Sequence, residues 1–278
     1  MNPEQILETL PPHATHQVLN QSGRTPDHDA YSADVTLRGV TDRYDLGWAE
    51  ERFRRLGEVA GSQRVEDLAR QANRHDPELV PFDRYGHRVD AVEFHPAYHE
   101  LMRLAYGHEV HSLAWTGDGP HPHTARAVLS YLWNQAENGV GCPTGMTYAS
   151  VDTLRKAPHL RDPWIGKALS TAYDPRPVHA AGKTGITLGM AMTEKQGGSD
   201  LKKVRTLARP LDGSNEPGAR FALTGHKWFT SVPMSDAFLA VARTDAGVSC
   251  FFFERWHEDG SRNGMRIQRL KDKAGNRS

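Results

Sequence analysis

The chain has 278 residues, with 34 Lys+Arg balanced by 34 Asp+Glu and a formal net charge of zero, so its overall charge does not point to nucleic acid or an anionic membrane surface. The length predicts about two domains. Two cysteines, Cys142 and Cys250, stand far apart and outside any C-x-x-C spacing, which excludes a disulfide framework and a thiolate zinc site and predicts a reducing, cytoplasmic setting. No apolar run approaches the ~20 residues of a membrane span, and residues 1–25 lack the apolar core of a signal peptide, so no membrane partner is expected.

Residues 1–43 read as an irregular arm, with Pro11, Pro12, Gly23 and Pro26 among many polar residues. From Asp45 the texture is helical: Leu46, Ala49, Phe53, Leu56 and Val59 recur every three or four positions, and Val65, Leu68, Ala69 and Ala72 repeat the pattern after Gly61. A loop is predicted over 74–92, marked by Pro77, Pro81 and Gly86. A helix over 97–115 places Tyr98, Leu101, Met102, Ala105 and Leu113 on its apolar side. Thr124 is the expected N-cap of a helix to Ala136, with Val128, Leu129, Leu132 and Trp133 inward. Shorter helices are predicted over 147–156 and 163–170.

After about Gly182 the apolar period changes from 3.6 to 2. Strands are predicted over 186–192, 220–224, 238–243, 248–253 and 265–270, punctuated at Asp212-Gly213, Gly225 and Asp259-Gly260. The organisation is therefore α+β: an arm over 1–43, a helical domain over 44–182 and a β domain over 183–278. The polar end 271–278 leaves the last predicted strand without a following partner, so the chain is expected to be part of a larger architecture.

The most informative stretch is Met192-Thr-Glu-Lys-Gln-Gly-Gly-Ser-Asp200, where an apolar run enters a polar loop with adjacent Gly197 and Gly198. Glycines there allow successive N–H groups to face one concavity, and Thr193, Ser199 and Asp200 add short polar side chains. That combination suits a planar, polar-edged cofactor or an anionic group. A second segment, Gly225-His-Lys-Trp-Phe-Thr-Ser231, lies about a hairpin further on. In a strand, the adjacent Trp228 and Phe229 would face opposite sides.

Gly182-Lys183-Thr184 lacks the first glycine of a phosphate loop, since position 177 is Pro. His95 with His99, His108 with His111, and His121 with His123 are read as solvated or capping residues, so no metal ligand is assigned. Lys202, Lys203 and Arg205, and later Arg266, Arg269, Lys271 and Lys273, are read as solvated faces, because no aromatic residues interleave with them.

Met192–Asp200 resembles the first signature of the acyl-CoA dehydrogenase superfamily of flavoproteins, and Lys227-Trp-Phe-Thr230 resembles its flavin-stacking strand. The variant MTEKQGGSD, followed by GHKWF and by 270–278, is similar to the AidB-like, adaptive-response branch. Asn20-Gln21, Phe94-His-Pro-Ala-Tyr98, Leu113-Ala-Trp115 and Cys142-Pro143 extend the resemblance over nearly the whole chain.

The resemblance implies an N-terminal helical domain, a middle antiparallel β-barrel or sandwich domain, and a C-terminal four-helix domain beyond these residues. It implies FAD bound by Met192 and Thr193 at the pyrimidine edge, by Gly198 and Ser199 near the phosphates, and by Trp228, Phe229 and Thr230 at the isoalloxazine. Ser199 would also approach an acyl-CoA-like substrate. The implied reaction is α,β-dehydrogenation of an acyl-CoA thioester. The family's catalytic glutamate, most tetramer contacts and, in the AidB-like branch, the DNA-binding surface belong to the C-terminal domain. No catalytic residue is therefore assigned, Glu194 included, and little turnover is expected of these residues alone. The competing expectation is a DNA-associated protein of the alkylation-damage response that keeps FAD in a structural role. A poorly folding fragment is the third.

Overall fold

The structure, a computed structural model, describes residues 20–271 together with His13, Thr15, His16 and Val18. Pro11, Pro12, Lys273 and the rest of 272–278 lie outside the described residues.

Helices begin earlier than the sequence predicts. Asp29 accepts from the backbone N–H groups of Tyr31 and Ser32 and starts α1 (Ala30–Ala33), and Asp34 accepts from Leu37 N–H and starts α2 (Val35–Arg43). The expected irregular arm is thus helical from Ala30 onward, and its signal is the pair of capping aspartates. In α3 (Glu50–Ala60), Phe53 and Leu56 are fully buried, while Glu50 and Glu51 favour its positive N-terminal end. A Cβ on Gly57 of this helix would run into Asp29 and Tyr31, so glycine lets the first helix pack closely. Ser62 caps α4 (Gln63–Arg74).

The loop predicted over 74–92 is instead a hairpin, β1 (Glu78–Phe82) against β2 (Arg88–Glu93), antiparallel. Its turn is closed by Asp83, which accepts from Tyr85 N–H and His87 N–H, each at 2.8 Å. Pro81 is tolerated because a two-stranded ribbon leaves its N side without a required partner. The single helix expected over 97–115 divides into α5 (Pro96–Gly107) and the short α6 (Leu113–Thr116), with Glu109 left-handed at φ 59° between them. The helix expected from Thr124 begins at Pro122, so α7 is Pro122–Ala136. It is followed by α8 (Gly141–Arg155) and α9 (Pro158–Ala168), both longer than predicted.

Phe53, Leu56, Leu101, Met102, Leu129 and Trp133 form the helical core. His111 is buried in it, stacked on Tyr106 at 3.9 Å, with Nε2 3.1 Å from the Ser170 carbonyl. Burial pushes its imidazole down to about 3, outweighing the upward pull of that carbonyl, and nearby Arg126 adds a lesser downward push. A histidine depressed when folded leaves the unfolded chain binding the extra proton, so its contribution is complete above pH ~6.5 and is lost as pH falls towards 3. Between neutral pH and pH 5 the loss of stability from this group should be about 2 kcal/mol. His111→Gln should flatten the urea-unfolding stability profile over that interval, and an unchanged slope would refute the assignment.

The β region contains β3 (Leu188–Ala191), β4 (Leu207–Pro210), β5 (Phe221–Thr224), β6 (Ala237–Thr244) and β7 (Gly247–Glu254). β7 runs antiparallel along the whole of β6, and β5 is antiparallel to β4. The pairings of β6 with β3 and with β4 are parallel, so the sheet is mixed rather than wholly antiparallel. This explains why Ala237–Ala242 is buried on both faces and reads as a continuous apolar run. The strand expected over 265–270 is absent: the segment is irregular, and only Ile267 of it is buried. Val151, Leu154, Trp164, Ile186, Leu188 and Ala237 form a second core that joins α8 and α9 to the sheet. Among the described residues, no helix is long and apolar enough to cross a membrane.

Candidate functional site

β3 and β5 each deliver one of the two polar segments. After Ala191 the chain makes a tight turn in which Glu194 N–H donates to the Gly197 carbonyl (2.9 Å) and Gly197 N–H donates back to Glu194 (3.1 Å). The segment after β5 docks on it: Trp228 N–H donates to the Thr193 carbonyl at 2.8 Å, and Lys195 N–H donates to His226 Nε2 at 3.1 Å. The two segments singled out in the sequence are therefore one unit in space.

Glu194 holds that unit together. Its side chain is buried, and Oε1 receives the Lys227 ammonium (2.8 Å), the Thr206 hydroxyl (2.5 Å) and Thr206 N–H (3.0 Å). Oε2 receives Arg205 N–H at 2.8 Å and the Gln196 amide. Burial alone would raise this carboxyl, but Lys227, Thr206 and the two backbone donors outweigh it and hold it well below the usual carboxylate range. Lys227 also donates to the Val241 carbonyl at 2.7 Å, which ties the segment to β6. Sequence reading missed the parts played by Lys227 and Thr206, because neither position signals which distant carboxylate it meets.

A second buried pair sets the strand register. Lys183 Nζ lies 2.6 Å from Asp236 Oδ1, and Asp236 Oδ2 accepts Thr187 N–H at 2.8 Å. Lys183 is thus engaged inside the protein, in keeping with the rejection of a phosphate loop at Gly182-Lys183-Thr184.

In front of this unit lies a cleft of about 1230 Å³, lined in part by Trp228, Phe229 and Thr230 and floored by Ala191, Phe221, Leu223, Ala240 and Phe253. The Lys227–Thr230 segment is not the expected strand: it is irregular, and Phe229 is left-handed at φ 59° and 59% exposed. Trp228 and Phe229 meet edge to face with centroids 5.4 Å apart instead of facing opposite ways. Lys195 Nζ and the Arg269 guanidinium each stand 5.3 Å from the Trp228 ring centroid. The cleft thus combines an apolar, aromatic floor with a cationic rim, and can accept a planar ligand that carries negative charge.

Met192 and Thr193 directly follow the cleft residue Ala191 and are half-buried. Gly198 and Ser199 are not brought to the cleft: Gly198 packs against the Thr193 side chain, where a Cβ would come within 3.1 Å, and Ser199 is exposed beyond the turn. The histidines have local roles. His95 Nδ1 accepts Ala97 N–H at the start of α5, His99 pairs with the Tyr173 hydroxyl at 3.0 Å, and His123 pairs with the Tyr148 hydroxyl at 2.8 Å.

The chain matches two family models, the adaptive response protein AidB N-terminal domain over residues 20–175 and the acyl-CoA dehydrogenase middle domain over 189–278. It is 42% identical over 267 residues to AidB of Escherichia coli (strain K12), covering 95% of this chain and 48% of that protein. It is 29% identical over 280 residues to acyl-CoA dehydrogenase family member 11 of Caenorhabditis elegans, covering 95% and 44% respectively. The chain therefore spans about half the length of these relatives. Among solved structures, Bd2924 in its apo form aligns with a TM-score of 0.77 and 29% identity, over 93% of this chain and 52% of that one. Caenorhabditis elegans ACDH-11 in complex with C11-CoA aligns with a TM-score of 0.77 and 25% identity, over 95% and 46%. With the first model matched over more than half of its length, the chain belongs to the AidB branch of the acyl-CoA dehydrogenase family.

Proposed function

We propose that this chain carries one side of an FAD site in an acyl-CoA dehydrogenase-type flavoprotein acting on an acyl-CoA thioester. The observation that carries this reading is the docking of Trp228 on Thr193 at the edge of the aromatic cleft. The cleft fits the group: a large planar ring can lie on Trp228 and Phe229, and the Lys195 and Arg269 cations suit its phosphates. In this reading Trp228, Phe229 and Thr230 pack on the isoalloxazine, while Met192 and Thr193 hold its pyrimidine edge. The family resemblance would put Gly198 and Ser199 next to the phosphates, with Ser199 towards the acyl-CoA, whereas here both lie outside the cleft lining.

When bound, FAD supplies the hydride acceptor. The chain's own residues orient the ring and exclude water from the apolar floor. Glu194 keeps the two segments in register, and a carboxylate so strongly stabilised in its ionised form is a poor proton acceptor. The domain limits 44–182 and 183–278, homotetrameric assembly and a cytoplasmic location accompany this reading. Equilibrium titration with FAD, followed by flavin fluorescence, should show saturable binding, and its complete absence would overturn the proposal.

A second reading, DNA association with FAD in a structural role, draws on the adaptive-response family model. Salt-titrated DNA binding separates the two, since phosphate contacts predict a steep loss of affinity with salt.

A further inference from the structure

Lys202, Lys203 and Arg205 lie outside the cleft, and the fold joins them to a residue far along the chain, Arg243 at the end of β6. A separate groove of about 470 Å³ is lined by Gln196, Lys202, Lys203, Val204, Arg205 and Arg243. Four of these six residues are cationic. The facing carboxylate is Asp200, whose Oδ2 is 3.8 Å from Lys203 Nζ. Glu194, the nearest buried acid, is already committed to Lys227 and Thr206.

The four cations are not equivalent. Arg243 is half-buried and fixed, its Nε donating to the Val204 carbonyl (3.2 Å) and its Nη2 to the Lys202 carbonyl (2.5 Å). Those two bonds hold the guanidinium in place through its Nε and Nη2 atoms. Lys202, Lys203 and Arg205 are exposed, and their side chains can move over the groove. Converging like charges repel one another, and a bound anion relieves that repulsion. A fixed guanidinium fork surrounded by mobile cations matches the geometry and charge of a phosphate group. No aromatic side chain lines the groove, so it offers nothing on which a nucleic-acid base could stack.

We propose that this groove binds the phosphate or pyrophosphate group of a small molecule, at a site distinct from the aromatic cleft. The proposal does not depend on the flavin reading. Its test is calorimetric titration of the chain with inorganic pyrophosphate at low ionic strength. Wild type should bind saturably and lose affinity as salt rises. The exposed pair Lys202→Gln/Lys203→Gln should keep its unfolding midpoint and bind at least ~10-fold more weakly. Trp228→Ala should bind pyrophosphate as wild type does, even where it loses FAD, which separates failure of this site from failure of the other. Absence of saturable binding by wild type, or equal affinity in the double variant, would overturn the proposal. So would a single-stranded oligonucleotide that binds these lysines and is not displaced by pyrophosphate.

Discussion

Glu194→Ala is expected to cost about 3–5 kcal/mol of stability, a large share of the roughly 5–15 kcal/mol available to a domain. The change leaves the Lys227 ammonium, whose side chain is only 14% exposed, with the Val241 carbonyl alone. It also strips the acceptor from the Arg205 and Thr206 N–H groups and leaves the Thr206 hydroxyl only the His226 carbonyl at 3.3 Å. Glu194→Gln keeps the shape and some of the acceptors, so a smaller loss of about 1–3 kcal/mol is expected. Urea unfolding measures both. Equal losses would mean that the shape and acceptors kept by the amide contribute nothing without the charge, and a loss below ~1 kcal/mol for alanine would remove Glu194 as the residue that joins the two segments.

Phe238→Ala should cost a similar amount, about 3–5 kcal/mol, through a different cause. Phe238 is fully buried on β6 and stacks on Phe253 with centroids 5.1 Å apart and planes 16° from parallel. On its other side the ring covers Gly189, where any Cβ would come within 2.5 Å of it. Truncation therefore opens a cavity under β3 and removes the support of Phe253, which floors the cleft. Phe238→Leu fills most of that space and should lose clearly less. Calorimetric unfolding of the two variants distinguishes them, and equal losses would show that the cavity is not the cause.

The change from helix to strand near Gly182 was legible because a helix with one buried face leaves a 3.6-residue pattern, as in Phe53–Leu56, and a strand buried on both faces leaves a continuous apolar run, as in β6. What escaped has identifiable causes. Short capped helices such as Ala30–Ala33 bury a single residue, Tyr31, and leave no period. The β1–β2 hairpin was hidden by Pro77 and Pro81, which read as breakers although an edge tolerates them. Alternation over 265–270 suggested a strand, yet Ile267 is held by Asp90, which accepts its N–H at 3.3 Å, and by Arg88, which donates to its carbonyl at 2.9 Å. Side-chain tethering of this kind has no local signature.

At the site, the types of residue were legible and their arrangement was not. Adjacent Trp228 and Phe229 would diverge in a strand, but a left-handed Phe229 turns both to one cleft. Glu194 stood in plain view inside the signature, while its partners Lys227 and Thr206 come from two other segments that only the folded sheet brings together.

The central claim is that the Met192–Asp200 turn and the segment after β5 form one flavin-binding unit with Trp228 as its stacking surface. Comparing FAD affinity in wild type and Trp228→Ala by flavin-fluorescence titration, with unfolding midpoints measured alongside, tests it most directly. Loss of an aromatic stack worth about 1–1.5 kcal/mol predicts binding roughly tenfold weaker with the fold retained. Equal FAD affinity in the two proteins would contradict the account.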